Sequence, residues 1–109
     1  MLLFRASDVY QPDQSPAALQ ALTVKMMDWV GYITERGLHV SSEKFKRTGK
    51  QVIGANKTIA EQPFGTGKDI IGGITIVLAR DFNEAVEIAK ACPILETNAG
   101  IEIRPIQSV

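Results

Sequence analysis

Residues Glu61 to Ala79 read EQPFGTGKDIIGGITIVLA, and this stretch limits the possible folds more sharply than any other in the chain. Its front half holds Pro63, Gly65 and Gly67, whose backbone preferences require an irregular loop. Its back half, Ile74 to Ala79, carries large apolar groups on both faces of an extended segment, the pattern of a central strand covered on two sides. Gly72-Gly73, just before that strand, predicts a bulge or a close backbone approach at its entrance. The rest of the chain must supply partners for the strand's edges and cover for its faces.

The remaining segments fit that role. MLLFRA at Met1 to Ala6 is a short strand, apolar on both sides in its first half. Ser7 to Gln14, with Asp8, Pro12 and Asp13, is a loop. Ser15-Pro16 starts a helix, with Ser as cap and Pro giving up a donor that has no partner at that position. Leu19, Leu22, Met26, Trp29, Val30 and Ile33 then form one apolar stripe as far as about Arg36, and Gly37 suits the left-handed end. Leu38 to Phe45 predicts a strand with Leu38, Val40 and Ser42 on one face and His39, Ser41 and Glu43 on the other. Turn signals at Thr48-Gly49 and Gly54-Ala55-Asn56, around Val52-Ile53, predict an exposed hairpin.

After the central strand, Asp81 to Cys92 is a second helix, with Asp81 and Glu84 spaced as a capping box and Pro93 as its stop. Ile94 to Ala99 is loop. Ile101 to Ile106 is a closing strand with Glu102 and Arg104 on one side, and Pro105 places its end at a sheet edge. The order β, α, β, hairpin, β, α, β gives a ferredoxin-like α+β sandwich, an antiparallel sheet with two helices on one face. Apolar residues on both sides of MLLF and ITIVLA leave the other face in need of cover, so two copies are expected to pack sheet to sheet as a dimeric α+β barrel.

Composition excludes several classes. At 109 residues the chain is a single domain, 1–109. Apolar residues are 45% and charged residues 22%, the balance of an ordinary globular protein. Twelve basic residues match twelve acidic ones, which removes the long-range field a nucleic-acid binder uses. Lys44, Lys46, Arg47, Lys50 and Lys57 cluster at the hairpin, but Phe45 is the one aromatic among them, so nucleic acid is not the expected partner. The lone Cys92 suits a reducing cytoplasm. No apolar run approaches the ~20 residues of a membrane helix. A soluble cytoplasmic protein is expected, with no membrane partner.

Few residues offer chemistry. Gly65 to Lys68, GTGK, suggests a phosphate loop, but Gln62 stands in place of the first glycine, Asp69 in place of the magnesium-binding hydroxyl, and the strand follows the loop instead of preceding it. His39 is the only histidine. It is a candidate base or ligand contact, although a solvated strand histidine accounts for it more simply. One His and one Cys make no zinc pattern, and no cofactor is expected. What remains is a charged group of Glu61, Lys68, Asp69, Glu102 and Arg104. Asp69 or Glu61 would act as general base, and Lys68 and Arg104 would bind or stabilise an anion beside Phe64. A structural ion pair between Arg104 and an acid is the competing account.

Glu61-Gln62-Pro63-Phe64, Lys68-Asp69, Gly72-Gly73 with its apolar strand, Asp81-x-x-Glu84-Ala85, Cys92-Pro93 and Ile101-Glu102-Ile103-Arg104-Pro105 together resemble the YCII-related, DGPF-type domain. The resemblance spans nearly the whole chain and implies a ferredoxin-like, dimeric α+β barrel. Glu61-Gln62 replaces the Asp-Gly of that pattern, and Gly65-Thr66-Gly67 replaces its Ala-Glu-Thr, so a role for the missing acid does not carry over. His39 also lies away from any histidine of the pattern. The expected function is binding of a small polar or anionic molecule by a homodimer, with catalysis open. The alternative is a non-catalytic module that meets a protein or nucleic acid.

Overall fold

The computed structural model describes residues 1–5, 16–46, 48–63, 70–97 and 99–107. In chain order the elements are β1 (Leu2–Arg5), α1 (Pro16–Glu35), β2 (His39–Lys44), β3 (Gln51–Ile53), β4 (Thr58–Ala60), β5 (Ile71–Val77), α2 (Phe82–Lys90), a 3-10 turn (Pro93–Glu96) and β6 (Gly100–Ile103). The loop expected over residues 7–14, the Ser15 cap, Arg47 and residues 64–69 lie outside the described residues.

Alternation along β1 turns Leu2 and Phe4 into the core and Leu3 and Arg5 to the other side. β1 pairs antiparallel with β5 on one edge and β6 on the other, and β2 pairs antiparallel with the far edge of β5. The resulting order, β2-β5-β1-β6, puts the two doubly apolar segments in the two central positions. With two helices this is the ferredoxin-like α+β sandwich that the element order predicts. Leu2, Phe4, Trp29, Ile33, Ile88, Ala89, Cys92 and Ile94 form its core.

The apolar stripe of α1 divides into two halves. Trp29 and Ile33 are buried, whereas Leu19, Leu22, Met26 and Val30 are half-buried. The Trp29 indole meets Phe4 edge to face, with ring centroids 6.3 Å apart. Its Nε1–H donates to the Ile88 carbonyl at 3.1 Å. That carbonyl lies in the last turn of α2, where no N–H one turn ahead is left to meet it, so α1 caps α2 from the side. Gly37, at φ 72°, closes α1: its N–H donates to Thr34 and the Leu38 N–H to Ile33, both at 2.9 Å. This is the Schellman arrangement.

Three expectations are corrected. The central strand begins at Ile71, so Gly72 and Gly73 lie within it. Gly73 pairs with both Phe4 and Lys44, and a Cβ there would stand 2.8 Å from the Glu43 carbonyl oxygen. Glu84 does not return its carboxylate to the Asp81 N–H. Asp81 accepts from the Glu84 N–H at 2.9 Å, but Glu84 accepts from the Arg80 N–H at 3.2 Å and its Nε at 2.8 Å. Residues after Pro93 form the 3-10 turn and bury Ile94, where a loop was expected.

β3 and β4 form a separate two-stranded hairpin, joined by Gly54 to Lys57 with the Lys57 N–H donating to the Gly54 carbonyl at 3.0 Å. Val52 and Ile59 sit opposite one another and are 69% and 62% exposed. Among the described residues no helix is long and apolar enough to cross a membrane.

Candidate functional site

Pinning α1 at Trp29 and Ile33 leaves its earlier half standing over a cleft of about 860 Å³. Leu19, Leu22, Met26, Met27 and Val30 line the helix side. Phe4, Gly73 and Thr75 line the sheet side, where Gly73 contributes no side chain to fill the space. Ser42 and Lys44 mark the β2 side. The volume falls within the range of small-molecule pockets, and an apolar wall with a few polar groups on one side is their usual construction.

The polar side depends on an irregularity in β2. His39 pairs with Val77, but Ser41 pairs with Ile76, so Val40 is an extra residue in the ladder. In a regular ladder without this bulge, His39 and Ser42, three residues apart, would project from opposite faces, as plain alternation predicts. With it, both face the helices, and the His39 Nε2 lies 2.8 Å from Ser42 Oγ. Ser42 Oγ in turn lies 3.0 Å from Thr75 Oγ1. Thr75 is the one buried polar side chain among the described residues, at 1% exposure. A row of three polar groups therefore runs from the strand's outer end to the cleft floor.

The charged candidates sit elsewhere. Arg104 and Glu102 share the sheet face opposite the helices, where Glu102 accepts from Arg5 at 2.7 Å and from Arg104 at 3.3 Å. The Arg5 guanidinium, helped by that of Arg104, holds the Glu102 carboxyl below its usual range. Arg104 thus has the acid partner of the structural account, at an exposed position. Glu61 pairs with Lys50 at 3.2 Å at the hairpin base, beside a hollow that Gln62 and Pro63 also line. Neither Glu61 nor Arg104 lines the cleft under α1. Phe64, Lys68 and Asp69 lie outside the described residues, and so does any convergence of Lys68 and Asp69 with Arg104.

A family comparison decides where the chain belongs: residues 8–109 match the YCII-related domain. The chain is a member of the YCII-related family. No curated protein matches it significantly.

In this YCII-related domain, Cys92 is not placed for chemistry. Its thiol is buried, donates to Met26 Sδ at 3.7 Å, and is pushed up to about 11 by burial, so it stays protonated at neutral pH. Among the described residues no group of three or more His, Cys, Asp or Glu is placed to hold a metal. Among the described residues proposed for the site from sequence, His39 alone comes near the cleft, through its contact with Ser42, and does not itself line it; Lys44, from the basic cluster, does. Ser42 and Thr75 were missed. A signal existed for Thr75, the one hydroxyl in an otherwise apolar run, since a hydroxyl buried there must find a partner.

Proposed function

We propose that this YCII-related protein binds a small organic molecule with an apolar body and one polar end, an organic acid or a derivative of one, in the cleft under α1. The observation that carries the reading is the cleft's two-sided construction, with leucine and methionine side chains on α1 facing Ser42, Lys44 and Thr75 on the sheet. The apolar body would displace water from the helix wall, and hydroxyl and ammonium donors would receive the polar end. The positive charge for that end comes from Lys44, with Ser42 and His39 beside it.

The proposal includes a homodimer in the cytoplasm. Leu3, Ile74 and Ile76 lie on the sheet face without helices, and a second copy placed there would complete a dimeric α+β barrel. A reducing compartment suits a lone buried thiol.

Thermal unfolding with a panel of short aliphatic and aromatic acids tests the binding reading. At a ligand concentration about 100 times Kd, stabilisation of about 2.7 kcal/mol raises Tm by several degrees. Leu22→Asp places a charge on the helix wall and removes that rise. Absence of any ligand-induced shift at millimolar concentration defeats the reading. Sedimentation that gives a monomer at micromolar concentration removes the dimer from it.

A second reading draws on the hairpin. Val52 and Ile59 expose an apolar patch on an arm that packs little against the main sheet, which favours a protein contact there. Loss of a bound protein on Val52→Ser with ligand binding intact would support it.

A further inference from the structure

We propose that Ser42 is a nucleophile with His39 as its base, and that the substrates taken at this site are esters of small apolar carboxylic acids. The inference rests on the cleft being the ligand site and adds a reaction to it.

The direction of the hydrogen-bond row carries the argument. Thr75 is 1% exposed, and its hydroxyl has one hydrogen bond among the described residues, to Ser42 Oγ at 3.0 Å. Ser42 Oγ is the one partner of Thr75 Oγ1 among the described residues, so the buried Thr75 proton is satisfied only when Thr75 is the donor. The proton of Ser42 is then directed along its other contact, 2.8 Å to His39 Nε2. With the ring proton on Nδ1, Nε2 accepts it. A serine hydroxyl aimed at an imidazole within hydrogen-bond reach is the arrangement of an activated nucleophile. Ser42 also lines the cleft, so an acyl chain lying along Leu22 and Met26 would bring its carbonyl to the oxygen.

In the reaction, Ser42 Oγ adds to the ester carbonyl carbon as its proton passes to His39 Nε2. The tetrahedral adduct collapses, the carbon–oxygen bond to the leaving group breaks, and the departing alkoxide takes the proton from Nε2. This leaves a free alcohol and acyl-Ser42. Water then adds to the acyl carbon, giving its proton to His39, and Ser42 leaves with that proton restored, releasing the acid. Lys44 lines the same cleft and supplies positive charge near the oxyanion. Among the described residues no carboxylate is bonded to the His39 ring, so both steps are slow, and with an activated leaving group acylation outpaces deacylation and the acyl group accumulates on Ser42.

The test uses the full chain with p-nitrophenyl butyrate. The expected result is a burst of one p-nitrophenolate per chain, followed by slow turnover, and a mass gain of one butyryl group on the peptide that holds Ser42. Ser42→Ala removes burst and adduct. His39→Gln slows acylation roughly 100-fold or more with Tm unchanged. A burst of the same size in Ser42→Ala, or an adduct on another residue, overturns the assignment. Butyranilide, whose leaving group does not depart at neutral pH, separates the two levels of the argument. If it binds the wild type and the ester leaves no adduct, the nucleophile is refuted and the binding cleft stands. If it does not bind and no adduct forms, both are refuted.

Discussion

Replacing Trp29 with Phe removes the indole N–H that meets the Ile88 carbonyl while keeping an aromatic ring against Phe4. Two losses add. A buried carbonyl left without a donor costs about 1–3 kcal/mol. The missing part of the indole leaves a void beside Ile33 and Ile88, at a position 4% exposed, for about another 1–2 kcal/mol. The sum is about 2–4 kcal/mol, set against a total stability of about 5–15 kcal/mol for a domain of this size. Trp29→Phe should therefore fold and lower the urea midpoint by about 1–2 M, given an m-value of about 1–3 kcal/mol/M. Trp29 is the only tryptophan, so far-UV circular dichroism must follow both proteins. Phe4→Leu, which disturbs the ring contact and keeps the indole donor, serves as control. A loss below about 0.5 kcal/mol in Trp29→Phe would show that α1 does not hold the end of α2 in the manner described.

Two further outcomes follow from the same contacts. Gly73→Ala puts a Cβ at 2.8 Å from the Glu43 backbone oxygen and should destabilise by about 1–3 kcal/mol, whereas Gly31→Ala, whose Cβ meets nothing within 4 Å on exposed helix, should stabilise by about 0.5–1 kcal/mol; paired thermal melts check the opposite signs. Glu102 has its carboxyl lowered by Arg5 and Arg104, so its contribution is present above the unfolded-state value and is lost as pH falls through the folded one. Urea midpoints measured from neutral pH into the acid range should fall, and Glu102→Gln should make that fall shallower.

The fold was legible where side chains report it. Six residues of the α1 stripe are the buried or half-buried ones, because a helical period and a core face coincide. MLLF and ITIVLA announced central strands by being apolar on both sides. Gly72 and Gly73 were read as preceding the strand because a glycine carries no side chain to show which ladder it has joined. The cleft was hidden for a related reason. Periodicity says which face of α1 turns inward, but not how far away the opposing surface lies, and Leu19 and Met26 look the same over a core as over a cavity. Plain alternation separates His39 from Ser42 because a bulge belongs to the pairing of β2 with β5 and leaves no mark in β2 itself.

The extra residue at Val40 means that the chemistry of β2 is encoded partly in a count. A relative could keep both the histidine and the serine at the same spacing and still lack the pair, if its strand ran without the bulge and alternation sent them to opposite faces. Another could lack the extra residue and still have the pair, since a histidine and a serine two apart share a face by plain alternation. Within this family, then, the spacing of the two residues and the register of β2 on β5 would together sort members by capability, where the two letters alone would not.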